Sequence, residues 1–486
     1  MRMRSASWPG ILGAAAMVAL GVLAIMQLAA LPTAQIDRLS SHYVPLLAAV
    51  GALSMAIVVW WVEPAYTLSA ALVLTPFAGN WPAMGVPGPL SPDRLLLAGG
   101  IAAVLLRAPA IADRPKLRIS AVHWLLGLAV VYALASAFVA GTLVEREPFL
   151  KLVDAFGIMP FLLFVAAPVA FRTRHQRQVL LASFVLLGAY LSLTVLFEAT
   201  KFDALVYPRY ILDPTYGIHV HRGRGPFADA VASGVAIYAC GVACAIAAAS
   251  WRDRVARTLA IVVGVLCVVG ILLCLERSVW IGAILGTTVA MLAARNLRRY
   301  FLPVALTAAV VVVAALALIP GLSASATPRV NQGQSALWDR KNLARAAINM
   351  VDARPLFGFG WNGFSFHSQD YFQQAFDYPL TATKAGVHNT PLNYAVDLGL
   401  VGATLWALGL VFGVGAALLS RGPPDLDHWR IGLLAIATAY LVVMNAVPPT
   451  TWLNRSIWLL AGVLYSGRYA WSWPSVARLP QTASAR

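Results

Sequence analysis

The sequence predicts an all-α, polytopic transmembrane bundle of about 12–14 spans with a large outer loop, and three observations predict it. Of 486 residues, 60% are hydrophobic and only 12% charged, whereas a soluble chain covers its surface with roughly a quarter charged residues. Mean hydropathy is +0.74. The apolar residues also cluster into runs near 10–31, 44–62, 65–78, 94–108, 121–143, 152–171, 178–197, 227–250, 257–275, 279–295, 300–320, 391–419, 428–446 and 452–470. A span needs about 20 apolar residues. In lipid only helices and closed barrels satisfy their own backbone polar groups, and these long unalternating runs read as helices.

Each element follows from that frame. The first run is too long for a signal-peptide core and lacks a small-x-small site leading into a soluble domain, so it reads as a retained span. The third and fourth runs are short, and one is a candidate re-entrant segment. The chain then divides into N-terminal helices (1–197), central spans with arginine-bearing outer loops (198–320), a large outer loop (321–390), C-terminal helices (391–470) and a tail (471–486). Cys240, Cys244, Cys267 and Cys274 all fall within runs and read as buried free thiols.

The net charge of +16 is compatible with nucleic acid, but the basic residues are scattered through short loops, so membrane topology explains them and no nucleic acid is expected. With the N-terminus inside, 20 of the 36 lysines and arginines fall on the cytoplasmic side. Ten of the remaining 16 lie in only two outer loops, 198–226 and 321–390. A long loop translocates whatever its charge, but arginine in an outer loop otherwise gains nothing from topology, which points to a local use.

Three segments carry candidate chemistry. His219 to Asp229 (HVHRGRGPFAD) sets Arg222 and Arg224 between glycines at the head of a helix. That is a plausible phosphate cradle; the alternative is a tight turn with interfacial arginines. In Glu276-Arg277-Ser278, Arg277 stands on the face opposite to that favoured by topology, where an ionisable residue needs a partner or a polar cavity. Pairing with Glu276 or a lipid headgroup is the structural alternative. The large loop holds an amphipathic helix over Ala336–Ala353, expected at the membrane surface, bearing Arg340, Lys341 and Arg345. Arg354 and the aromatic, glycine-rich PLFGFGWNGF follow, then His388, Asn389, Asp397 and DLGLVG along the next helix. A histidine there can serve as a general base or as a structural cap.

Together these segments resemble the O-antigen ligase and O-antigen polymerase family. RGRGPF precedes a mid-chain span, ERS opens a later one, and PLFGFGWNGF is followed by HNTPLNYAVDLGLVG; the resemblance covers roughly residues 200–410. A glutamate often stands two positions before the first glycine of that last motif in the family, and here Asp397 takes its place. The resemblance implies a glycosyltransferase of the bacterial inner membrane, active on the periplasmic face. Its donor would be an undecaprenyl-diphosphate-linked glycan, and its acceptor a second glycan or lipid A-core. By position Arg224, with Arg222 as its rival, and Arg277 would hold the diphosphate, and His388 would activate the acceptor in an inverting displacement. Arg345, Arg354, Asn389 and Asp397 would contact substrate. The outer loops offer no carboxylate cluster suited to magnesium or manganese, so metal independence and no cofactor are expected. The RGPF form of the first motif favours a polymerase over a ligase. A transporter or flippase of lipid-linked sugars is the alternative, but it predicts repeated halves, and the sequence lacks them.

Overall fold

The computed structural model describes residues 61–84, 91–107, 120–218, 222–318, 333–372, 386–420, 424–446 and 450–470. The run near 10–31, almost all of that near 44–62, and the tail 471–486 lie outside the described residues. Among the described residues all regular structure is helical. In chain order the main helices are α1 (Pro64–Leu74), α2 (Pro92–Arg107), α3 (Ala121–Val139), α4 (Ile158–Ala170), α5 (Arg174–Thr200), α6 (Ala230–Ser250), α7 (Arg254–Leu273), α8 (Arg277–Ala293), α9 (Phe301–Leu318), α10 (Gly333–Ala353), α11 (Thr390–Leu419), α12 (Asp427–Val443) and α13 (Thr451–Ala470).

Among the described residues six segments are long and apolar enough to cross a membrane: α3, Glu147–Ala170 (which includes α4), α5, α6, α7 and α11. Pro64–Phe77 and Arg277–Ala293 are shorter apolar helices. The chain is therefore a multi-pass helical membrane protein. Local sequence sets the helix starts. Thr173 and Gln176 form a capping box on α5, Asp229 accepts from Val231 N–H at the head of α6 (2.9 Å), and Asp253 accepts from Ala256 N–H on α7 (2.8 Å). Each side chain satisfies a backbone donor that the first turn leaves unpaired.

Hydrogen bonds and ion pairs sort the helix ends into two sets. At one end Ser120 meets Tyr465 (2.7 Å), Ser420 meets Leu464 O (2.9 Å) and Arg177 pairs with Asp425. At the other, Thr75 meets Arg455 (3.2 Å), Asn80 meets Pro226 O (3.0 Å), Gly223 N–H donates to Leu273 O and Thr390 N–H to Met444 O. The chain therefore alternates between ends as the charge distribution predicts. We refer to the second as the loop end. All four cysteines are free and buried. Val255, Leu259 and Val262 of α7 and Ile281 and Ile284 of α8 are exposed, forming apolar faces suited to lipid.

One expectation needs correction. The amphipathic helix exists as α10, but Leu343, Ala347 and Met350 pack against Phe364, Val387 and Val396. Its buried stripe rests on protein, because the loop returns beside α11 and brings apolar side chains against it.

Candidate active site at the loop end

The RGRG loop is held rigidly, and the two arginines within it have different environments. Arg224 is 1% exposed. Its Nε and Nη2 donate to Ile211 O (3.0 and 2.6 Å), Nη2 also to Asp213 O (2.6 Å), and Nη1 to Tyr216 O. Glu198, near the end of α5, accepts from Arg224 N–H (3.2 Å) and Gly225 N–H (2.8 Å). Tyr210 donates its hydroxyl to Pro226 O (2.6 Å), and burial pushes that phenol's pKa up. The Thr215 hydroxyl and amide hold the carboxyl of Asp213 below the usual carboxylate range. The guanidinium of Arg224 thus clamps the 211–216 turn. This arrangement corrects the expectation that it faces a ligand: folding a short loop over the bundle strands backbone carbonyls, and a planar five-donor group satisfies several at once. Arg222 instead projects sideways and pairs with Glu276, its side chain 26% exposed. His219 and His221 lie outside the described residues.

Arg222 is thereby carried to the head of α8, where Arg277 is exposed. Gly282 and Gly286 let α8 approach α12 closely: a Cβ on Gly286 would stand 2.4 Å from Ala435 O, and one on Gly282 would stand 3.1 Å from Ala439 O. This is the small-xxx-small spacing by which membrane helices pack backbone to backbone. The antiparallel contact places the α8 head beside the end of α12, and Met444 O there accepts from Thr390 N–H (2.7 Å). Half-buried His388 lies two residues earlier. The RGRG, ERS and HNT segments therefore gather at one end of the bundle. Asn389 caps α11, its Oδ1 accepting from Leu392 N–H (2.9 Å) while its Nδ2 donates to Asn445 (3.4 Å). The capping role therefore falls to the asparagine and not to the histidine.

The PLFG and DLGLVG motifs explain each other. α11 breaks at Gly399 (φ 66°, ψ −179°), a conformation open only to glycine. Residues 355–359 lie along the break: Leu400 N–H donates to Pro355 O (2.8 Å), Val401 N–H to Leu356 O (3.3 Å) and Phe359 N–H to Val396 O (2.9 Å). Gly358 (φ +68°) is needed because a Cβ would meet Val396 O at 2.4 Å. Asp397, 3% exposed, accepts from Phe364 N–H (3.0 Å) and Asn393 Nδ2 (2.9 Å). Its carboxylate caps the Gly363–His367 turn. Arg354 is exposed and lies over the Phe359 ring (4.8 Å), and Arg345 is exposed on α10.

Sequence reasoning missed a buried ionic network at the same end. Arg455 (1% exposed side chain) pairs with Asp93 (0%; 3.0 Å) and with Asp154 (2.6 Å). Asp154 also pairs with Arg94 (2.6 Å), and Trp81 donates to Asp93 (2.8 Å). Asp154 sits in a π-helical turn, Leu152–Phe156; such turns recur at functional sites. The signal available in the sequence was four ionisable residues near apolar runs, which membrane segments rarely tolerate unpaired. Among the described residues no group of three or more histidines, cysteines and acids is placed to hold a metal ion.

The fold and this polar end define a multi-pass helical membrane protein with its candidate chemistry on one face. Residues 262–407 match the family model described as O-antigen ligase. This stretch, under a third of the chain, is similar to the O-antigen ligase family. The match contains Arg277, Arg345, Arg354, His388, Asn389 and Asp397; Arg222 and Arg224 lie before it. No curated protein matches the chain.

Proposed function

We propose that the chain moves a glycan from an undecaprenyl-diphosphate carrier to an acceptor hydroxyl at the loop end, facing the periplasm of a bacterial inner membrane. The acceptor oxygen bonds to the anomeric carbon on the face opposite the departing diphosphate. The bond between that carbon and the phosphate oxygen breaks, and configuration inverts. His388 receives the hydroxyl proton, and undecaprenyl diphosphate leaves. Arg222 and Arg277 face the negative charge that grows on the leaving group, where preorganised guanidiniums act most strongly. Arg222 takes the place first given to Arg224, whose donors lie on backbone carbonyls. Arg345 and Arg354 are proposed to contact glycan or lipid phosphate.

The observation that carries this reading is the meeting of three distant segments: Arg222 with Glu276 beside Arg277, and the HNT segment with the adjoining end of α12. The acceptor is a second carrier-linked glycan in a polymerase and lipid A-core in a ligase. The test is transfer by purified protein from a lipid-diphosphate glycan, in EDTA. Wild type should transfer in EDTA, and Arg277→Ala and His388→Ala should each lose at least ~100-fold in rate. Full transfer by both variants would refute the site, and activity that EDTA abolishes and added metal restores would refute the metal-free mechanism. Single repeat units on lipid A-core after deletion would mark a polymerase; unattached long chains would mark a ligase.

A further inference from the structure

Glu276 has no assigned task in this mechanism, yet it occupies a central position. It heads α8, but its carboxylate makes no side-chain cap. It turns instead to Arg222, 54 positions earlier in the chain, in a pair whose side chains are 10% and 26% exposed. Gly223 N–H, bonded to Leu273 O (3.1 Å), fixes the backbone on one side of this pair. Arg277 is the next residue in the chain and is exposed. A carboxylate next in sequence to one arginine is thus paired with a second from a separate segment, at the positive end of a helix. These are the surroundings that a diphosphate would also favour.

We propose that Glu276 is an internal competing anion: it holds Arg222 while the site is without donor, yields it to the donor's diphosphate, and reclaims it so that the lipid-diphosphate product departs. This rests on the reading that Arg222 and Arg277 bind diphosphate. The physical basis is ion exchange on one guanidinium. A carboxylate beside the site weakens diphosphate binding in two ways, by occupying Arg222 and by like-charge repulsion. Both effects fall on substrate and product alike. An enzyme whose product keeps the most strongly held group of its substrate gains turnover from such weakening, because product release otherwise sets the rate.

The test uses the full chain in lipid nanodiscs, with undecaprenyl diphosphate as titrant, and measures Kd, product-inhibition constant, kcat and thermal midpoint. Glu276→Gln, which keeps shape and removes charge, should bind undecaprenyl diphosphate about three- to tenfold more tightly. Its kcat should fall and product inhibition should strengthen. In an Arg222→Gln background the same substitution should lose most of that gain, because Glu276 acts through Arg222. A purely structural Glu276 would give weaker or unchanged binding, and either result overturns the proposal. So does an undiminished gain in the double variant. Should Glu276→Gln fail to fold, Glu276→Asp retracts the carboxylate by one methylene and should shift Kd in the same direction by less; no tightening there also overturns it. The site reading fails separately, and takes the proposal with it, if wild type binds undecaprenyl diphosphate no better than the monophosphate and Arg277→Gln changes nothing.

Discussion

Arg224 offers a sharp separation between a residue that builds the site and one that acts in it. Its side chain donates to the carbonyls of Ile211, Asp213 and Tyr216 while 1% exposed. Arg224→Ala leaves three carbonyls without these donors. A buried acceptor left unmade costs about 1–3 kcal/mol, so even the low end for each sums to roughly 3 kcal/mol. Arg224→Lys keeps the charge but replaces a planar fork with a single point donor, so it should lose about half as much. Arg277 is exposed, and Arg277→Ala should fall within about 0.5 kcal/mol of wild type. The assay is thermal unfolding in nanodiscs beside transfer on the same preparations. The expected pattern is a midpoint lowered by at least ~3 °C for Arg224→Ala, with Arg277→Ala melting as wild type yet inactive. An Arg224→Ala protein that melts with wild type and has lost transfer would refute the clamp and return Arg224 to the substrate.

Three other tests probe the scaffold. Gly286→Leu forces α8 from α12, where a Cβ already stands 2.4 Å from Ala435 O; transfer should fall at least ~10-fold as Arg277 moves from His388, while Leu at exposed Ile284 should leave both rate and folding unchanged. Gly399→Ala places a side chain 2.2 Å from Leu356 O at φ 66°, costing about 1–3 kcal/mol in backbone strain alone, and protease should then cut within 354–360 faster than in wild type. Arg455→Met leaves Asp93 and Asp154 buried with one cation fewer, a loss of about 3–5 kcal/mol, which Asp93→Asn in the same chain should partly restore; a melt unchanged in Arg455→Met would remove the network from the stability account.

The bundle was legible in the sequence because apolar run length and basic-residue placement are direct consequences of lipid as solvent. The two ends found in the structure divide Arg107, Arg177 and Arg252 from Arg222, Arg277 and Arg455 as topology suggested. The site was legible only in outline. RGRGPF and HNTPL mark the segments that meet, but hydrogen-bond partners are set by tertiary geometry. Nothing in RGRG distinguishes the arginine that turns inward on carbonyls from the one that turns to Glu276. The substrate role for Asp397 came from the family resemblance alone; in the structure its carboxylate caps the turn that begins at Gly363. The network of Asp93, Arg94, Asp154 and Arg455 was hidden because its members come from three places in the chain, and each alone resembles an ordinary interfacial charge. The Gly282–Gly286 spacing, which seats α8 on α12, is visible in the sequence.

The most direct measurement is photo-crosslinking of the purified chain with a polyprenyl diphosphate carrying a diazirine beside its phosphates, followed by peptide mapping. The account predicts labels within 222–226, 275–281 and 386–392, reduced by unlabelled undecaprenyl diphosphate and by Arg277→Ala. Labels confined to the opposite end, around 171–177 and 250–257, would contradict it.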